Sequence, residues 1–127
     1  MTITMQVRSA DSKLAVMREA HSQGHADVAL MILTGAVRVY TRSPKSRPGW
    51  QIADWDRPFP ADTAGVVFLD TYDGEPRFYI TTISEARKIV AVQVHSGRPE
   101  NPESRHCYIP PELLADYENQ WAFYLRA

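Results

Sequence analysis

The sequence predicts one α/β (or α+β) domain, a mixed central sheet of about five strands with flanking helices. Three observations predict it. Two runs, ADVALMILT at 26–34 and GVVFLDTY at 65–72, are almost continuously apolar, as strands are when a sheet is covered on both faces. Helical spacing of apolar residues frames the sheet at 11–23 and 83–94. The chain has 127 residues, 44% apolar and 23% charged, which suffices for one hydrophobic core.

Taken in order, residues 1–10 carry no pattern and are expected to be flexible. The helix at 11–23 places Leu14, Met17 and His21 on one face, with Asp11 or Ser12 to cap it and Gly24 to end it. Residues 26–34 read as a buried strand, and Gly35 turns into a strand at 36–42. There Val37 and Val39 point one way, Arg38 and Tyr40 the other. The proline-containing segment 43–49 is a loop, 50–55 a third strand, and 56–64 another loop. Strand 65–72 turns at Asp73-Gly74 into 76–82. Ser84 opens a helix carrying Ile83, Ala86, Ile89, Val90 and Val94, with no capping box because Arg87 occupies the third position. A polar loop at 96–105 follows, and Pro110-Pro111-Glu112 begins a short helix through Tyr117. The C-terminal segment 110–127 ends in an aromatic tail, Trp121, Phe123 and Tyr124, expected to pack on the body or form an interface.

One cysteine, Cys107, excludes an intramolecular disulfide. No segment approaches the roughly 20 apolar residues of a membrane helix, and the N-terminus lacks a signal-like apolar run. The expectation is a cytoplasmic protein with no membrane partner. Net charge is −1, but residues 1–50 hold seven basic and three acidic residues. Arg38, Arg42, Lys45 and Arg47 form a stretch without an acid, interleaved with Tyr40 and Trp50. Cations can meet phosphates there while the rings stack on bases. The alternatives are a solvated loop and a Trp50 that anchors the core.

Strong catalytic motifs are absent: no GK[ST] phosphate loop, GxGxxG, HExxH, CxxC or GxSxG. His106-Cys107, and the pair His21 and His25 interrupted by Gly24, are too sparse for a metal site. A second acidic set comprises Asp54, Asp56, Asp70, Asp73 and Glu75. Asp70 lies inside an apolar strand, where its charge needs a partner. Arg57, Arg77, or a metal shared with Asp54 can supply one.

Glu19, Asp27 and the strand Arg38-Val39-Tyr40 form the pattern with most chemical content. With GVVFLDTYDGEPRFYITTISEARKIVAVQV and SRHCYIPPELLADYENQWAF, the chain resembles the small restriction-endonuclease-like proteins of the PD-(D/E)XK superfamily over residues 12–125. The resemblance implies a restriction-endonuclease-like core, a helix, a three-stranded meander, a helix and a further strand, and small members often place an apolar strand, a turn, an aromatic strand and a helix after the catalytic strands. It also implies a divalent metal held by carboxylates, with a lysine beside the nucleophile. Here Arg38 stands where the family has an acid or glutamine, and Tyr40 where it has lysine. Asp27 alone is a weak metal candidate.

The expected function is therefore a non-catalytic nuclease-fold protein that binds nucleic acid or a protein partner, without a cofactor. One alternative is an active Mg²⁺- or Mn²⁺-dependent nuclease using Glu19, Asp27 and Asp54, with Lys45 as cation. The other is an interaction subunit or homodimer joined through the aromatic tail.

Overall fold

A computed structural model describes residues 9–43, 49–96 and 105–126. The chain is a mixed α+β protein. Helices α1 (Ser9–Ser22) and α2 (Ala26–Thr34) precede strands β1 (Val37–Arg42), β2 (Trp50–Ile52), β3 (Gly65–Asp70) and β4 (Arg77–Thr82). Helix α3 (Ile83–Ser96), strand β5 (Cys107–Ile109) and two short 3-10 helices, Pro111–Tyr117 and Phe123–Arg126, complete it. The flexibility expected of the first ten residues falls mostly outside the described ones, although Ser9 and Ala10 already belong to α1.

The first correction concerns residues 26–34, which form a helix rather than a strand. A nine-residue apolar run does not distinguish the two by composition. The decisive features are local. Gly24 (φ 83°) ends α1, with His25 N–H donating to the Ala20 carbonyl at 2.8 Å and Gly24 N–H to that of His21 at 3.0 Å, a Schellman closure. The chain reverses at once into α2, which ends at Gly35 (φ 88°). Val28 and Ile32, four apart, then share the buried face.

The strands do not form one central sheet. β3 pairs with β1 in parallel and with β4 antiparallel, giving the order β1-β3-β4. β2 and β5 make a separate antiparallel ribbon. β2 is shorter than the 50–55 expected, and β5 falls between the loop at 96–105 and the helix begun at Pro110, where the sequence predicts no element. The β3–β4 hairpin turns through Gly74 (φ 89°) as expected.

Period-2 alternation sorts the core into two layers. On one face, Val37, Val67, Leu69, Phe78 and Ile80 pack with Val16 and Ala20 of α1 and Val28 and Ile32 of α2. On the other, Val66, Phe68 and Tyr79 pack with Ala86, Ile89 and Val90 of α3 and with Trp50, Ile52, Cys107 and Ile109 of the ribbon. β3, covered on both sides, is buried throughout. Phe68 meets Trp50 edge-on, with ring centroids 5.7 Å apart; truncating such a side chain to Ala costs about 3–5 kcal/mol.

Two expected caps lie elsewhere. Ser12, expected to cap α1, lies within it and accepts a hydrogen bond from Thr41 Oγ1 at 2.8 Å, tying the helix to β1. Helix α3 does have a capping box, two residues before the expected start. Thr82 Oγ1 accepts from Glu85 N–H (3.0 Å), and Glu85 Oε1 accepts from Thr82 N–H (2.8 Å).

The outer edge of β4 is closed by the C-terminal segment. Asn119 N–H donates to the Phe78 carbonyl at 2.8 Å, and Arg126 Nη2 to that of Ile80 at 2.9 Å. Phe123 lies against Gly65, where an added Cβ would stand 2.7 Å from its ring.

Candidate functional site

The residues that the nuclease resemblance singles out do not converge. Asp27 is exposed in the first turn of α2, and its Oδ1 accepts from the neighbouring Val28 N–H. Glu19 accepts from Gln23 one helical turn on. Both helices pack on the Val37 face of the sheet, whereas Tyr40 packs on the opposite face against Phe59 and Phe68. Burial raises the Tyr40 phenol above its ordinary value, opposed by the nearby Arg38 charge. Arg38 meets Asp62 at 3.5 Å. Asp54, the third acid of the rearranged-site alternative, is engaged with Arg105 in the loop after β2. Among the described residues, no group of three or more His, Cys, Asp or Glu is placed to hold a metal ion.

The basic and aromatic stretch at 38–50 is largely dismantled as a surface. Trp50 is fully buried, and its Nε1 donates to the Leu69 carbonyl at 3.0 Å. Arg42 is buried and paired with Asp70 at 3.5 Å, lying 4.2 Å from the Tyr72 ring centroid. It therefore partners the acid assigned to Arg57 or Arg77, because its parallel register puts it directly beside Asp70. Lys45 and Arg47 lie outside the described residues. The aromatic tail is likewise internal. Trp121 and Phe123 are buried in the α1–α2 layer, and only Tyr124 is exposed. Cys107 is buried and burial raises its thiol pKa, so it is poorly suited to act as a nucleophile.

One surface that remains among the described residues is a groove between α3 and the loop after β2. Arg87, Val90, Ala91 and Val94 fall at helical spacing along one stripe of α3. Trp55, Asp56 and Pro58 face them, enclosing about 710 Å³. A second hollow of about 570 Å³ continues past Arg57, Pro58 and Pro60 and shares Arg87.

The loop is held by its own chemistry. Asp54 Oδ1 accepts from Asp56 N–H (3.0 Å) and Arg57 N–H (3.4 Å), an Asx-type turn. Arg105 joins Asp56 at 3.3 Å, Asp54 at 3.9 Å and the Trp55 ring at 5.8 Å. Tyr40 Oη donates to the Pro58 carbonyl at 3.4 Å. The loop acids are thus matched by Arg105, and Arg57 and Arg87 have no ion-pair partner among the described residues.

Two uncommitted guanidiniums, one half-buried indole and an apolar helical stripe suit an anion that carries a flat ring. Arg57 stands out in the sequence only as a partner for Asp70, and Arg87 only as a helix residue. The signal that could have found them is the 87-90-91-94 stripe, which puts a cation at the end of an apolar face.

The chain matches no family model, no curated protein and no solved structure.

Proposed function

We propose that this chain is a non-catalytic binding protein whose α3 groove takes a short stretch of single-stranded nucleic acid. The observation that carries the reading is Arg87 beside Trp55 in a groove of about 710 Å³, with Arg57 in the adjoining hollow of about 570 Å³, both arginines without a carboxylate partner among the described residues. Backbone phosphates engage the guanidiniums, and a base stacks on the indole or slides over Val90 and Val94. The nuclease-type fold belongs to the same proposal. Its support is the succession of β1, the β3–β4 hairpin and α3, the order the resemblance implies from the catalytic strand onward. The three-stranded meander that the resemblance also implies has no counterpart among the described residues.

The test is anisotropy titration of fluorescent oligothymidylate and oligouridylate across a salt series. Removing both phosphate-binding cations in Arg57→Ala/Arg87→Ala lowers the slope of log K against log salt by about 1.4. Unchanged affinity and slope in the variant would reject the groove.

A second reading, an interaction subunit, draws on Leu30 and Leu33 of α2, which are 59% and 58% exposed. Light scattering of the parent and of Leu30→Lys checks it. The reading expects an oligomer that dissociates in the variant.

A further inference from the structure

The two edges of the three-stranded sheet are finished differently. The C-terminal segment closes β4, whereas β1 is an edge strand with no strand beside it among the described residues. The Ala36 and Arg42 carbonyls accept from the β3 side, from Ala64 and Thr71 N–H at 2.7 and 2.8 Å. Backbone direction alternates along a strand, so Arg38 and Tyr40 also turn toward β3. Val37, Val39 and Thr41 direct their N–H and C=O groups outward. A trough of about 320 Å³ follows this edge, lined by Lys13 and Ile32 on one wall and by Arg38, Tyr40 and Pro60 on the other.

Both walls carry a cation. Lys13 Nζ sits at the end of α2, 3.4 Å from the Leu33 carbonyl. Among the described residues Arg38 meets only Asp62, which is 81% exposed, and its buried Nε has no hydrogen-bond partner. We propose that the outer edge of β1 accepts an extended acidic segment of a protein partner as an added strand. Main-chain bonds to Val39 and Thr41 give affinity, and alternating side chains give specificity. Residues facing the α1–α2 wall meet Ile32 and Val39 and are apolar. Those facing the other wall meet Arg38 and are acidic. A second copy of this chain fits poorly. Antiparallel self-pairing centred on Val39 sets two Arg38 and two Lys13 along one seam, with only two Asp62 to offset them.

The probe is a fluorescent, capped hexapeptide of alternating Val and Glu, with a Val–Lys hexapeptide as control. Amide hydrogen exchange in the full chain is the site-resolved readout. The Val39 and Thr41 amides exchange quickly in the free protein and slow at least ten-fold with the acidic peptide, while the Lys peptide has no effect. Arg38→Glu weakens binding at least ten-fold. Val39→Pro abolishes it with the β3 ladder intact, because the lost N–H faces outward. Failure of the peptide to protect Val39 and Thr41, equal protection by the Lys peptide, or protection by oligothymidylate instead would overturn the proposal. So would amides already protected in the free chain. The groove variant Arg57→Ala/Arg87→Ala leaves peptide binding unchanged, which separates this edge from the nucleic-acid groove.

Discussion

Replacing Asp70 with Asn tests how the buried end of the β1–β3 pair tolerates charge. Arg42 and Asp70 lie side by side at the C-terminal ends of β1 and β3, each side chain 9% exposed. Their atoms are 3.5 Å apart, an attraction of about 5 kcal/mol at an effective dielectric near 20, largely offset by desolvation of both ions. The net worth of the pair is therefore small. The cost of breaking it is not, because Arg42 would stay buried between Tyr72 and Trp50 with its charge uncompensated. Asn at position 70 retains an oxygen for the Tyr72 N–H, now bonded to Asp70 Oδ1 at 2.9 Å, so the change removes mainly charge. The expected loss is about 3–5 kcal/mol. For 127 residues, an unfolding entropy of about 2.1 cal/mol/K per residue makes that about 11–19 °C in Tm. Urea unfolding of Asp70→Asn, Arg42→Met and the double variant is the assay. The double variant is expected to be more stable than Asp70→Asn alone, since it removes the stranded cation. A single-variant loss under about 1 kcal/mol, or strictly additive losses, would show that Arg42 and Asp70 are not coupled in this way.

Gly65→Ala is expected to destabilise the fold by about 1–3 kcal/mol, because the new Cβ lies 2.7 Å from Phe123 and 3.0 Å from the Thr81 carbonyl; combining it with Phe123→Ala in urea unfolding is expected to cost less than the sum. Burial acts to raise the Glu85 pKa, but hydrogen bonds from Arg126 and the Thr82 amide, together with the Arg126 charge, outweigh it and hold the carboxyl below its ordinary 4.5. A depressed carboxyl contributes stability that is present above its unfolded pKa and is lost as pH falls through the folded one. Arg126→Ala should therefore lose about 1 kcal/mol near neutrality and show a shallower decline in Tm below pH 4.5. Asp27→Ala, at an exposed helix start whose carboxylate, among the described residues, bonds only its neighbour's amide, should change stability by no more than about 0.5 kcal/mol in urea unfolding.

Local punctuation is readable wherever one residue type dictates a backbone state. Gly24 stops a helix, Asp73-Gly74 turns the hairpin, and Pro111 starts the 3-10 helix, whereas Gly35 reads as a turn between strands and in fact ends a helix. Alternation in β1 also separates Val37 and Val39 from Arg38 and Tyr40. Residues 26–34 mislead because Leu30 and Leu33 stay exposed although apolar, so composition hides a one-sided helix. The Thr82–Glu85 capping box is present in the letters, but its threonine also reads as the last residue of a strand. Pairing is non-local. Nothing near Trp50 announces β5, whose Ile109 is its partner in the paired register. The same limit applies to the site. Arg42 and Trp50 look like surface groups until the register beside Asp70 and Leu69 places them inside. Arg57 and Arg87, far apart in the chain, meet only through the fold.

The α3 groove is the proposed binding surface. Anisotropy of fluorescent oligothymidylate against the parent chain and Arg57→Ala/Arg87→Ala, at two salt concentrations, tests it most directly. Salt-sensitive binding to the parent is expected, with at least a ten-fold weaker, less salt-dependent titration for the variant. Equal affinity and equal salt slope for the two proteins, or no binding by the parent, would contradict it.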